Sequence, residues 1–178
     1  SVHVTGSKGK GSVCALIEAG LLHAGLRAGR YASPHVEHVT ERICHLGVPV
    51  SQAVFDAATT RALDARDAAV RAGTAGARAT WFDVVTAAAF HSFAQSGLDW
   101  AVVEVGMGGL SDSTNVIEPE LAVITNVALE HVDVLGPTLE SIAAHKAGVV
   151  RPGRPVLSGM AVDTVAGAVI RQRATELG

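Results

Sequence analysis

Short apolar runs rich in Val and Ile alternate along the chain with longer Ala- and Leu-rich segments of helical period. That alternation predicts strands near 2–5, 27–32, 100–105, 121–125 and 154–158, and helices near 10–25, 51–72, 80–96, 138–147 and 161–176. The first, third and fourth strands, Val2–Thr5, Trp100–Val105 and Leu121–Thr125, carry no polar alternation, so they belong at the centre of a sheet buried on both faces. Helix starts are marked as well: Ser51 can cap the second, Thr80 with Asp83 forms a capping-box start to the third, and Thr138 follows Pro137 at the fourth. The Gly/Ala stretch 73–79 reads as a loop inside one domain, because periodic segments flank it closely. The fold class expected is α/β: a P-loop-type, mostly parallel sheet with helices on both faces.

Composition narrows the function classes. With 178 residues, 48% of them hydrophobic, the chain suffices for one well-buried domain. A formal charge of −3 without any basic run gives no reason to expect nucleic acid or an anionic membrane as partner. No stretch reaches the roughly 18 apolar residues of a membrane span and no signal-peptide layout opens the chain, which points to a cytoplasmic protein. Cys14 and Cys44 have neither a disulfide framework nor metal-ligand spacing and read as buried thiols. Strand-like sequence begins one residue after Ser1 and helix-like sequence runs to Leu177, so both ends look cut and 1–178 reads as a fragment of a larger protein.

The first candidate for chemistry is Gly6-Ser7-Lys8-Gly9-Lys10-Gly11-Ser12, between a buried strand and a helix. Glycines there let successive N–H groups face an anion, the helix start adds partial positive charge, and Lys10 can reach the β and γ phosphates of a nucleotide. Gly11 separates Lys10 from Ser12, a departure from the common GxxxxGK[ST] spacing. A second candidate is Glu104, which ends the apolar strand Ala101–Val105 just before Gly106-Met107-Gly108-Gly109. A buried carboxylate needs a compensating cation, and a hard ion such as Mg²⁺ bridges carboxylates to phosphates.

These segments resemble the folylpolyglutamate/dihydrofolate synthase branch of the Mur ligase superfamily. Gly-Ser-Lys-Gly-Lys-Gly-Ser is similar to that family's Gly-Thr-Asn-Gly-Lys-Gly-Ser loop, with Ser7 for Thr and Lys8 for Asn. Ser33-Pro34-His35 with Glu41-Arg42-Ile43, Glu104 to Gly109, Asp112-Ser113-Thr114-Asn115, Thr125-Asn126 with Glu130-His131-Val132-Asp133, and Lys146-Ala147-Gly148 match further motifs in order. Val39 and Thr40 replace Phe and Asn, Leu110 an Arg, Glu130 an Asp, and His145 a Glu.

The resemblance implies an ADP-forming amide ligase. ATP would bind at residues 6–12, and two Mg²⁺ ions at Ser33, Glu104, His131 and Lys146, the last carbamylated into an anionic oxygen ligand. Lys10, His131 and Lys146 would be the catalytic set. Pro34, His35, Arg42, Asp112, Thr114 and Asn115 would meet the substrate or shape its loop. L-glutamate would be joined to a folate or dihydropteroate carboxylate through an acyl phosphate, by a monomer acting on small molecules alone. Two alternatives stay open: a Mur-type ligase for a non-folate acid, and a nucleotide-binding module without catalysis.

Overall fold

The computed structural model describes residues 1–178. These fall into two compact units, one made of Ser1–Ile17 with Val102–Gly178 and the other of Glu18–Ala101. Strand β1 (Val2–Thr5) leads into helix α1 (Lys10–His23), and β2 (Ala28–Tyr31) is followed by β3 (Ile43–His45) and β4 (Val48–Pro49). Helices α2 (Gln52–Ala72) and α3 (Trp81–Gln95) precede β5 (Trp100–Glu104) and β6 (Leu121–Ile124). Two helices, α4 (Val132–Leu135) and α5 (Leu139–Ala147), then lead to β7 (Val156–Ser158) and α6 (Val165–Leu177).

In the first unit every strand pairing is parallel: β1 lies between β5 and β6, and β7 pairs with β6. Val4 stands opposite both Glu104 and Val123, so the carboxyl ends of three strands open at one level. A parallel sheet must be covered by helices, and its residues read as unbroken apolar runs. That is why all of β1 is buried. The core of this unit gathers Val105, Ile124, Leu135, Ile142, Val149 and Ile170 from strand ends and from α4, α5 and α6.

The second unit carries a feature the sequence pattern did not announce. Its strands β2, β3 and β4 are antiparallel, and β3 turns into β4 through Leu46 and Gly47, both at positive φ. Such a two-residue turn suits the twist of a hairpin and normally signals itself by Asn-Gly or Asp-Gly. Here Leu46 occupies the first position, and β4 is two residues long and contains Pro49, so neither turn chemistry nor period betrays it. Helices α2 and α3 meet through Ala58, Ala62, Val84 and Ala88, small residues that let the two axes approach.

Helix boundaries follow the capping chemistry. Ser51 accepts from Val54 N–H, Thr80 and Asp83 form a reciprocal box, and Thr138 closes a similar box with Ser141. The last helix starts at Val165 rather than 161, because Thr164 takes Gly167 N–H and Ala161–Asp163 are spent on the turn before it. Residues 75–78 within the expected loop form one 3₁₀ turn. No helix is long and apolar enough to cross a membrane.

One polar side chain is sealed into this core. His3 is fully buried on β1; its Nε2 meets Thr114 Oγ1 at 2.8 Å, and its Nδ1 has no partner. Thr114 Oγ1 donates onward to Asp112, so it accepts from His3, which fixes the neutral imidazole with the proton on Nε2. Burial, aided by the positive charge of Arg151, pushes the His3 pKa down to about 3. The unfolded chain therefore binds a proton that the folded chain refuses. Stability from this group is complete above about pH 6.5 and declines as pH falls toward 3, by at most about 1.4 kcal/mol per pH unit. Denaturant melts from pH 7 to pH 4 should show a shallower loss for His3→Gln, which keeps a donor toward Thr114 but cannot titrate; an unchanged slope contradicts this assignment.

Candidate functional site

Strand β1 ends at Thr5, and the chain turns at Gly6, whose φ of +147° lies where a side chain would run into the Thr125 hydroxyl. Glycine is therefore required for the loop to leave the sheet between two neighbouring strand ends. Residues 6–8 are then fastened to the segment after β6. Ser7 N–H donates to Asn126 C=O at 3.0 Å, and Ser7 Oγ accepts from Ala128 N–H at 2.9 Å. Lys8 N–H donates to Asn126 Oδ1 at 2.9 Å.

Residues 9–12 are different. Val13 N–H closes the first helical bond onto Gly9 C=O at 3.0 Å, so the N–H groups of Gly9, Lys10, Gly11 and Ser12 have no intrahelical acceptor. The space beside Gly9 is open. Lys10 bends back over the loop, its ammonium 3.1 Å from Gly6 C=O. Four free donors, a helix start and a cation thus lie together on the open side of the loop, which is what an anionic phosphate chain needs.

The parallel register brings a carboxylate to the same place. Glu104 stands opposite Val4 and is buried. A Cβ added to Gly11 would lie 3.5 Å from its Oε2 and 4.0 Å from Oε1. These are ordinary contact distances, and they place the Glu104 carboxylate directly beside the first turn of α1.

After β6 the chain passes Asn126 and Ala128 to Glu130 and His131. Glu130 reaches Lys146 on α5, Oε1 to Nζ 2.8 Å, and Lys146 is 1% exposed. Burial lowers the Lys146 pKa, with the Glu130 carboxylate pulling the other way and Lys10 adding to the lowering. For Glu130, burial acts to raise the pKa, but the hydrogen bonds from Lys146 and Ser7 and the charges of Lys146 and Lys10 outweigh it, and the net direction is down. Salt bridge and burial thus oppose one another at the amine, and burial prevails. His131 is exposed at the start of α4, with φ 47° and ψ 40°. A non-glycine residue held there is uncommon and clusters at functional positions.

No three His, Cys, Asp or Glu side chains converge closely enough to form a metal site by themselves. The candidate donors are few: one carboxylate beside the phosphate loop, one exposed imidazole, and a buried lysine amine whose pKa is lowered by burial. Such a set suits an oxygen-seeking ion only when phosphate oxygens and a modified lysine complete it.

The loop after β5 spends its polar atoms on itself. Asp112 takes Met107 N–H at 2.9 Å, and Thr114 N–H at 3.0 Å and Thr114 Oγ1 at 2.6 Å. Asn115 donates to Leu110 and Gly148 carbonyls and accepts from Arg151 at 3.0 Å. Of the two roles expected for Asp112, Thr114 and Asn115, these bonds serve the shaping of the loop.

Ser33, Pro34, His35 and Arg42 lie in the other unit, in the loop between β2 and β3. Glu41, half-buried, gathers the N–H groups of Val36, Glu37 and His38 at 2.7–3.0 Å, and those bonds hold its pKa down to about 2. Arg42 is buried, donates Nε–H to His35 Nδ1 at 3.0 Å and lies 4.8 Å from the Trp81 ring centroid. Its Nη1 is buried without a partner. The residues that sequence reasoning missed are Thr125 and Asn126, which grip the phosphate loop, and Trp81, which stacks on Arg42. The signal for Trp81 was available, an aromatic at the exposed first turn of a helix; for Thr125 and Asn126 it was their place at the head of the motif that ends in Glu130 and His131, which by itself assigns them no contact.

Comparison with known proteins bears on this arrangement. The Mur ligase middle domain matches residues 4–162. The folylpolyglutamate synthase of Lacticaseibacillus casei is 41% identical over 176 residues, which cover 98% of this chain and 40% of that protein. Escherichia coli FolC in complex with DHPP and ADP superposes with a TM-score of 0.89 at 34% identity, over 99% of this chain and 40% of that one. A bifunctional folylpolyglutamate synthase/dihydrofolate synthase with Mn, AMPPNP and L-glutamate bound gives 0.85 at 39% identity, over 99% and 41%. The chain thus spans about 40% of the length of these relatives.

Proposed function

Because the chain belongs to the Mur ligase middle-domain family, in its folylpolyglutamate/dihydrofolate synthase branch, we propose that it is the nucleotide-binding core of a ligase joining L-glutamate to a folate or dihydropteroate carboxylate at the expense of ATP. The observation that carries this reading is the buried Glu104 carboxylate beside Gly11, in the first turn of α1 where the helix N–H groups lack intrahelical acceptors. Nucleotides in the solved relatives, ADP and AMPPNP, and Mn in one of them, support nucleotide and divalent-metal use.

A substrate carboxylate oxygen attacks the γ phosphorus of ATP, the bond to the β,γ-bridging oxygen breaks, and an acyl phosphate and ADP result. The amine of glutamate then attacks the acyl carbon, phosphate leaves with the bonding pair, and the amine loses a proton to give the amide. Little covalent help is required of the protein in such a transfer; positioning and charge neutralisation dominate. The N–H groups of Gly9–Ser12 hold the phosphate oxygens, and Lys10 swings from Gly6 C=O onto the terminal phosphates. Gly6, Ser7 and Lys8 keep the loop in shape behind them.

Glu104, His131 and a carbamylated Lys146 are assigned to hold two Mg²⁺ ions, which when bound neutralise phosphate charge. For Ser33 as a further ligand, and for Pro34, His35 and Arg42 at the substrate, the support is the motif alone. Carbamylation requires a neutral amine, and the burial that lowers the Lys146 pKa favours that form. The enzyme is assigned as a monomer acting on small molecules.

The direct test is ADP release by the full-length protein with dihydropteroate, tetrahydrofolate or a muramyl precursor, each with and without glutamate. Glutamate-dependent turnover with a pteroate acid is the expected outcome, falling at least about 10²-fold in Lys10→Ala. Preference for the muramyl acid, or near-normal turnover in Lys10→Ala, contradicts the assignment. Under ¹³C-labelled bicarbonate the enzyme should show a carbamate resonance that Lys146→Arg lacks; its absence from the wild type removes the modified lysine from the scheme.

A further inference from the structure

The grip on the phosphate loop from the end of β6 assigns a task to Thr125 and Asn126, two residues whose motif carried no role for them in the nucleotide site. Thr125 Oγ1 donates to Lys8 C=O at 2.7 Å, and Asn126 Nδ2 donates to the same oxygen at 3.1 Å. Asn126 Oδ1 takes Lys8 N–H at 2.9 Å. A single side-chain amide therefore holds both the donor and the acceptor of one residue, as a neighbouring strand would, and a hydroxyl doubles the hold on the acceptor.

We propose that Asn126, seconded by Thr125, is a positioning residue for nucleotide binding, acting through the Lys8 residue it holds in the phosphate loop. This rests on the reading of residues 6–12 as the nucleotide site. Carbonyl oxygens are the part of a phosphate loop that an anion cannot tolerate nearby. Two donors draw the Lys8 oxygen toward the end of β6, and Ser7 is drawn the same way through Asn126 C=O and Ala128. What remains for the phosphates is the run of N–H groups from Gly9 to Ser12. Without the grip, the Lys8 peptide is free to rotate and to present its oxygen to the anion.

The effect is confined to the loop by construction. The pairing of β6 with β1 ends at Thr5 and Ile124, before the gripping residues begin. Their loss leaves that ladder and the apolar core around Ile124 in place. The same segment reaches Glu130 four residues further on, and Glu130 holds Lys146. Loop and lysine are thus fastened to one short stretch of chain.

The test uses the full-length enzyme. Affinity for AMPPNP is measured by calorimetry, together with KM for the acid and for glutamate and with the melting temperature. Asn126→Ala should weaken AMPPNP binding about tenfold, from the loss of two neutral hydrogen bonds, while both other KM values stay within about twofold. Asn126→Asp, equal in size but unable to donate to Lys8 C=O, should be at least as weak. Should Asn126→Ala fail to fold, Thr125→Val, which removes only the hydroxyl bond, should still weaken AMPPNP about threefold. AMPPNP affinity within twofold of the wild type in these variants overturns the inference alone. So does a uniform shift of all three constants with the melting temperature, the mark of a merely structural role. A wild type that binds no nucleotide removes the reading of the loop and this inference with it.

Discussion

The parallel pairing of β1 with β5 on one side and β6 on the other is the constraint from which the candidate site follows. Adjacent strands lie roughly 4.8 Å apart, and the register sets Val4 beside Glu104 and Val123. Three chain segments must therefore emerge together: the phosphate loop from β1, Glu104 from β5, and the stretch from Thr125 to His131 from β6. None of them needs a long connection or a strained backbone to meet the others, except at Gly6 and His131. Strand ends of this kind are where open α/β sheets bind ligands, and the reason is visible in the loop itself, whose unpaired N–H groups face outward at the point where the sheet stops.

Charge is arranged around that edge with economy. The charges of Lys10 and Lys146 both act on Glu130, and those of Glu130 and Lys10 on Lys146. At the buried amine of Lys146 desolvation lowers the pKa while Glu130 acts to raise it, and the net direction is down.

Much of this was legible before any coordinates. The run of unalternated apolar strands placed β1, β5 and β6 at the centre of the sheet, because only a buried parallel strand tolerates such composition. The capping residues Ser51, Thr80 and Thr138 placed three helix starts. What escaped was of two kinds. The β3–β4 hairpin was hidden because Leu46 took a position that glycine or asparagine normally marks, at some cost in backbone strain. The grip of Thr125 and Asn126 on the loop was hidden because it joins residues more than a hundred positions apart, and no local pattern reports such a contact. The roles of Asp112, Thr114 and Asn115 were readable only as a pair of alternatives, and the hydrogen bonds of the loop after β5 show the loop-shaping one at work.

The most direct measurement of the central claim concerns the Glu104 carboxylate beside Gly11. Calorimetric titration of the full-length protein with AMPPNP, with and without Mg²⁺, should show that the ion tightens binding to the wild type but not to Glu104→Gln. Equal tightening in both proteins would mean that the metal-bearing phosphate sits elsewhere, and the account of the site would fail.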